Sequence, residues 1–212
     1  MAMTDNKDHW YDGRFYDLLI APNQDRVFKS IREFVEDRSS LLDVGCGTGR
    51  LAFSIADKCS RVVGIDLSKR NIDVARRHLA KRPAAGIEFH HGDALQFLKE
   101  GGGRFDTAVL TYVLHEMDPG DRVALLRALA TAAGQIVVAE YAAPQPRNLT
   151  GVLNTLVECA AGAEHFANFR EFLARDGLVG LSKEVGLAVA WEVRGDPAGS
   201  HIMVMRNARM DF

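Results

Sequence analysis

The 212-residue chain predicts a doubly wound α/β fold, a parallel sheet with helices on both faces, closed by an antiparallel hairpin. Strand-like and helix-like patterns alternate five times between residues 41 and 141. The strand runs are apolar at consecutive positions, which is how strands buried on both faces read. The first strand runs directly into Gly45-Cys46-Gly47-Thr48-Gly49 and then a helical pattern. Three glycines in five residues permit left-handed backbone and leave no Cβ between the main chain and a ligand above the turn. The following helix offers its unpaired N–H groups at the same spot.

The elements follow in order. Residues 9–36 open with an aromatic segment, Trp10, Tyr11, Phe15 and Tyr16, broken at Ala21-Pro22-Asn23, and continue with Val27, Phe28, Ile31, Phe34 and Val35 at helical spacing. Two helices are therefore expected before the first strand. Leu41 to Val44 is strand one, with a helix over about 49–58 behind the glycine turn. Arg61 to Asp66 is strand two. Ser68 caps a long amphipathic helix over about 68–81, which Pro83 stops. Ile87 to His91 is strand three, leaving through Gly92-Asp93-Ala94 and, after Gly101-Gly102-Gly103, entering strand four at Phe105 to Thr111. A helix over about 119–131 precedes strand five, Ile136 to Ala139, which leaves through Glu140-Tyr141. Beyond Pro144 and Pro146, residues 148–161 read as an extra amphipathic helix and 165–175 as another. Leu187–Val193 and Ser200–Met205 flank Gly195-Asp196-Pro197-Ala198-Gly199 and form the hairpin.

This length suits one domain, 39–212, preceded by an N-terminal helical cap segment, 1–38. Apolar residues make up 47% and charged residues 25%, as in ordinary globular proteins, and the net charge of −2 provides no field favouring nucleic acid or an anionic membrane. No apolar run has the length of a membrane span, and the first residues lack a signal peptide's basic start and apolar core. Three widely spaced cysteines, Cys46, Cys59 and Cys159, argue against a disulfide framework and for a reducing cytoplasm. No His sits at ligand spacing from another His or Cys, so no metal is expected.

In a doubly wound sheet the ligand lies at the carboxyl ends of the strands, which makes the strand exits informative. Asp66 ends strand two, 17 residues past Gly49, where an acid can accept hydrogen bonds from both hydroxyls of a ribose. Asp93 ends strand three within reach of an adenine amino group, and Asp43 precedes the first glycine, placed to hold a cationic amino group. Three acids around one cleft suit a cationic ligand better than a pyrophosphate. Arg50 also occupies the position where a dinucleotide fingerprint would carry its third glycine.

The succession D-V-G-C-G-T-G, V-V-G-I-D, H-G-D-A and F-D-T-A-V-L-T-Y-V-L-H resembles the class I S-adenosylmethionine-dependent methyltransferases over about residues 40–141. The resemblance implies a Rossmann-like, seven-stranded, mostly parallel sheet of order 3-2-1-4-5-7-6 with the last strand antiparallel. It implies S-adenosyl-L-methionine as cofactor. Position by position, it places Asp43, Gly45, Cys46, Gly47 and Gly49 about the methionine and ribose portion, Asp66 and Leu67 at the ribose, and Asp93 with Ala94 at adenine. Thr111 and Tyr112 fall near the sulfonium end.

Methyl transfer from a sulfonium is an in-line displacement that needs alignment, and a base only where the nucleophile must lose a proton. His115 is the candidate base, with Tyr112 the second candidate catalytic residue. Tyr11, Tyr16, His115, Glu140, Tyr141 and His165 are expected to border an acceptor pocket, with Glu140 and Tyr141 on its rim; the helix at about 148–161 and the N-terminal aromatics lie outside the common core. The aromatics suit a small apolar or ring-bearing acceptor, and equally a homodimer face. The competing readings are an NAD-dependent oxidoreductase, a catalytically silent S-adenosylmethionine-binding protein, and an enzyme acting on RNA or protein. The absence of basic patches and of an Asn-Pro-Pro-Tyr-type motif after strand four argues against nucleic-acid bases.

Overall fold

The computed structural model describes residues 21–195 and 199–207. Its seven strands form one sheet of order β3-β2-β1-β4-β5-β7-β6, as expected. These are β1 Ser40–Val44, β2 Arg61–Asp66, β3 Ile87–His91, β4 Phe105–Thr111, β5 Ala133–Tyr141, β6 Leu187–Arg194 and β7 Ser200–Asn207. The first five run parallel, while β7 runs antiparallel to both β5 and β6.

Consecutive apolar residues in these strands feed two cores. Leu42, Val63, Leu110 and Val138 enter one, and Leu41, Val62, Val109 and Val137 the other. Helices α1 Ala21–Glu33, α2 Arg50–Ile55 and α3 Lys69–Lys81 cover the second face. Across the sheet lie α4 Ala94–Lys99, α5 Pro119–Ala132 and α8 Gly177–Val185, with α6 Leu149–Ala160 and α7 Ala163–Ala174 beyond the carboxyl ends of β4 and β5. Among the described residues no helix is long and apolar enough to cross a membrane.

Local chemistry sets the ends of the elements. The Ser68 hydroxyl accepts from the Asn71 N–H at 3.3 Å to start α3, and Pro119 supplies the first turn of α5. Two helices escaped the sequence reading. Helix α4 has six residues, too few to establish a period, and α8 contains Gly177 and Gly180, which read as breakers. Strand β5 is also longer than its apolar centre, extending from Ala133 to Tyr141.

The expected aromatic first helix, with Tyr11 and Tyr16, lies outside the described residues. The described remainder of that N-terminal segment is no separate layer. Val27, Phe28, Ile31 and Val35 of the α1 region pack into the same core as β1 and β2. Arg50 joins this packing, donating to Gln24 at 3.0 Å and Asp25 at 2.7 Å. In this chain the position of the absent third glycine holds α1 onto α2.

Candidate functional site

Two groups of side chains meet at the carboxyl end of the sheet. The first is the glycine turn and the strand exits beside it. Gly45, Gly47 and Gly49 all have positive φ, but they serve different ends. A Cβ on Gly45 would stand 2.3 Å from Val113 Cγ2, and one on Gly49 2.6 Å from the Phe89 ring; these two glycines are required by close packing. A Cβ on Gly47 would meet nothing within 4 Å, so Gly47 is the open crest of the turn. Cys46 turns its side chain into the core, and burial pushes its thiol pKa up, so only its main chain faces the turn.

Asp66 braces the turn. One carboxylate oxygen accepts from the Gly47 N–H and the other from the Ser68 N–H, both at 2.8 Å. Leu67 follows with its side chain 65% exposed, an apolar wall with no protein against most of it. Asp93 accepts from the Gln96 N–H at 2.7 Å and so caps α4. The expected pair with Ala94 needs a correction, because the Ala94 side chain is buried in the core below and only its backbone remains near the strand exit.

Two buried oxygens complete this group. Asp43 Oδ2 and Thr111 Oγ1 have no hydrogen-bond partner among the described residues. An orphaned buried acceptor costs about 1–3 kcal/mol unless something binds it. Burial, and then the charge of Asp66, push the Asp43 pKa up to about 7. A cation beside Asp43 would relieve both oxygen and charge. Open glycine crest, exposed leucine wall and unsatisfied acid together fit a nucleoside-bearing cation. Next to Thr111, Tyr112 holds φ at 56°, a left-handed conformation uncommon outside glycine and found where surrounding structure forces it.

The second group corrects an expectation. Glu140 and Tyr141 were expected on an open rim with His115 as an accessible base; instead Glu140 is fully buried and His115 only 2% exposed. Glu140 Oε1 accepts from the Leu114 N–H at 2.6 Å and the His115 N–H at 3.3 Å, and Oε2 lies 2.8 Å from His115 Nδ1. One carboxylate thus shapes the 3-10 turn Leu114–Glu116 and orients the imidazole. His115 Nε2 lies 3.5 Å from Glu158 Oε2, and His165 Nε2 lies 2.5 Å from that same oxygen. The Tyr141 hydroxyl donates to Glu158 Oε1 at 2.7 Å.

Burial opposes charge on His115, but Glu140 and Glu158 outweigh it and raise its pKa well above the ordinary histidine value. Glu158 is likewise held below the carboxylate range, its desolvation overcome by hydrogen bonds from His115 and His165. That shift favours the protonated imidazole, which is unsuited to act alone as a base. Arg122, 1% exposed, fixes the surroundings by donating to Glu171 at 2.5 Å, the Asn168 carbonyl at 2.7 Å and the His115 carbonyl at 3.4 Å.

Sequence reading brought His115, Glu140, Tyr141 and His165 to this place but missed Glu158. The available signal was compositional. Glu158 is the single charged residue of α6, LTGVLNTLVECA, and the helix turns it inward while Leu149, Val152, Leu153 and Leu156 stay more than half exposed.

Comparison with known proteins agrees with this geometry. A family model described as a methyltransferase domain matches residues 41–134. A ubiquinone biosynthesis O-methyltransferase of Aromatoleum aromaticum is 37% identical over 97 residues, which are 45% of this chain and 41% of that protein. One from Pseudomonas aeruginosa is 27% identical over 164 residues, 74% of this chain and 69% of that protein. The chain thus spans well under half of the former and about two thirds of the latter. Among solved structures, the pyocyanin biosynthetic protein PhzM superposes with a TM-score of 0.68 at 25% identity, covering 87% of this chain and 55% of that one. Magnesium protoporphyrin IX methyltransferase from Synechocystis, solved with bound SAH, gives a TM-score of 0.61 at 20% identity, covering 89% and 85%.

Proposed function

We propose that the chain is a class I S-adenosylmethionine-dependent methyltransferase that transfers a methyl group to a hydroxyl of a small, ring-bearing acceptor, a reading supported by its sheet order and by the methyltransferase-domain match over residues 41–134. The carrying observation is the pair of unsatisfied buried oxygens, Asp43 Oδ2 and Thr111 Oγ1, beside the open crest at Gly47. In this reading Asp43 holds the ligand's ammonium group, Asp66 its ribose hydroxyls, Leu67 one face of the adenine and Asp93 its amino group. Thr111 and Tyr112 border the methyl-bearing end.

S-adenosylmethionine supplies, when bound, a methyl group already activated on a sulfonium. The protein's own contribution is alignment in a desolvated pocket, an effect worth up to ~7–11 kcal/mol. Tyr112 and Tyr141, with ring centroids 5.2 Å apart, offer aromatic walls to a ring-bearing acceptor. The His115, Glu140, Glu158 and His165 cluster lies beside Tyr141 and fixes that wall, and the hydroxyl proton passes to solvent as the methyl is transferred. Supporting a hydroxyl acceptor, the two curated relatives above are both O-methyltransferases by name. The reading includes a cytoplasmic location, consistent with three free cysteines, and disfavours nucleic acid as acceptor, since the net charge of −2 provides no field towards it. A homodimer belongs to it as well.

Calorimetric titration with S-adenosylmethionine, S-adenosylhomocysteine and NADH in parallel tests the reading. Micromolar binding of both sulfur compounds without NADH binding is expected, followed by label transfer from donor to phenolic acceptors. Binding of NADH alone overturns it.

A further inference from the structure

We propose that His115, Glu158 and His165 form a binding site for a divalent transition-metal ion of the zinc class. The three side chains come from the 3-10 turn, α6 and α7, and their ligating atoms all lie within 4.8 Å of one another. No stretch of sequence shows this spacing, because the three residues meet only when α6 and α7 fold against the 3-10 turn.

Four features distinguish the cluster from a chance meeting of polar groups. Two imidazoles and one carboxylate are a donor set that suits zinc, iron, cobalt or nickel, whereas magnesium and calcium take oxygen. The distances are close to those required. Bonds of about 2.0–2.2 Å in a tetrahedral arrangement place neighbouring ligand atoms about 3.3–3.5 Å apart. The His115 to Glu158 separation is already 3.5 Å, and the His165 to Glu158 contact of 2.5 Å must open by about 1 Å. The outer supports are also in place. Glu140 accepts from Nδ1 of His115, which directs the Nε2 lone pair at the cluster, and the Tyr141 hydroxyl holds the outer oxygen of Glu158. Finally, Glu116 Oε1 stands 3.8 Å from His115 Nε2 with its side chain 41% exposed, leaving a fourth position at the solvent side for a carboxylate or water.

Three carboxylates, Glu116, Glu140 and Glu158, thus face two imidazoles in a largely buried space. A bound dication would offset the negative charge of these carboxylates. The three ligands border the proposed acceptor site and are separate from the donor-binding group of Asp43, Asp66 and the glycine turn.

The test uses the full chain, stripped of metal with a chelator and titrated with Co²⁺ and Zn²⁺. One equivalent of Co²⁺ is expected to produce visible ligand-field bands that one equivalent of Zn²⁺ abolishes. Glu158→Gln and His165→Gln each lose the bands, with affinity down at least 100-fold. Glu140→Gln, which alters only an outer support, weakens binding about 10–100-fold. Titration with S-adenosylhomocysteine and far-ultraviolet circular dichroism verify that each variant is folded. Absence of bands in the wild-type chain overturns the proposal whichever variants fold. So does Co²⁺ uptake unaffected by the two glutamine variants, or uptake of Mg²⁺ in preference to both transition ions.

Discussion

The glycine turn and the His-Glu cluster lie at the same end of the sheet and are built by opposite means. The turn is assembled by the main chain within a few residues of β1 and β2, and its acids reach backbone N–H groups. The cluster is assembled by side chains from β5, the 3-10 turn, α6 and α7, whose partners lie 7 to 43 residues away in sequence. The difference teaches where each site is vulnerable: the first to changes in backbone freedom, the second to loss of one charged partner.

The largest expected effect tests the cluster. Glu140→Ala removes the acceptor of three backbone N–H groups and the close partner of His115 Nδ1, leaving the buried imidazole only its longer contacts with Glu158 and Glu116. Denaturant unfolding should show a loss of about 3–5 kcal/mol. A loss below about 1 kcal/mol would mean that the cluster is no more coupled than a surface pair.

Glycine substitutions then separate packing from ligand contact. Gly45→Ala must push Val113 aside at a positive φ and should cost about 2–4 kcal/mol of stability. Gly47→Ala, with open space before it, should cost only about 1 kcal/mol of stability while reducing S-adenosylmethionine affinity. Equal losses of stability at the two positions would erase the distinction between a packed glycine and an exposed crest.

Asp66→Ala should weaken S-adenosylmethionine binding by ~1.5–3 kcal/mol, the scale of a hydrogen bond to a charged group. An unchanged dissociation constant sinks the ribose contact. The smallest effect is in pH. Asp43 titrates at about 7 in the fold against about 3.9 in an unfolded chain, so the folded state holds the extra proton between those values. Its favourable contribution is complete below about pH 4 and is lost as pH rises towards 7. Asp43→Asn should flatten that decline in melting temperature. In the wild type, cofactor affinity should rise through pH 7 as the proton leaves Asp43, and a flat profile would argue against an ammonium contact there.

This contrast also explains what was legible in the sequence. The strands, the glycine turn and Asp66 rest on local pattern, since Leu41-Leu42 and Val62-Val63 announce a sheet buried on both faces, whereas the strand order follows from the family resemblance. The acid at the end of β2 could be placed by counting. Glu158 could not, because its partners His115 and His165 reach it only after α6 and α7 fold back over the exits of β4 and β5. Periodicity also suggested the wrong face of α6: apolar residues at helical spacing imply burial, yet here the helix buries its glutamate. Only its being the lone charge among twelve residues marks it.

Strand β5, which carries Glu140 and Tyr141, is held on one side by β4 and on the other by β7. The pairing of Tyr141 with Ser200 closes a loop over residues 142–199, inside which α6, α7 and α8 all lie. Closing so long a loop costs entropy before any contact repays it, so this edge should pair late in assembly. During synthesis the glycine turn acquires its sheet neighbours early. The second edge of β5 waits for residues 200–207, so amides at its outer edge should be among the last protected from hydrogen exchange.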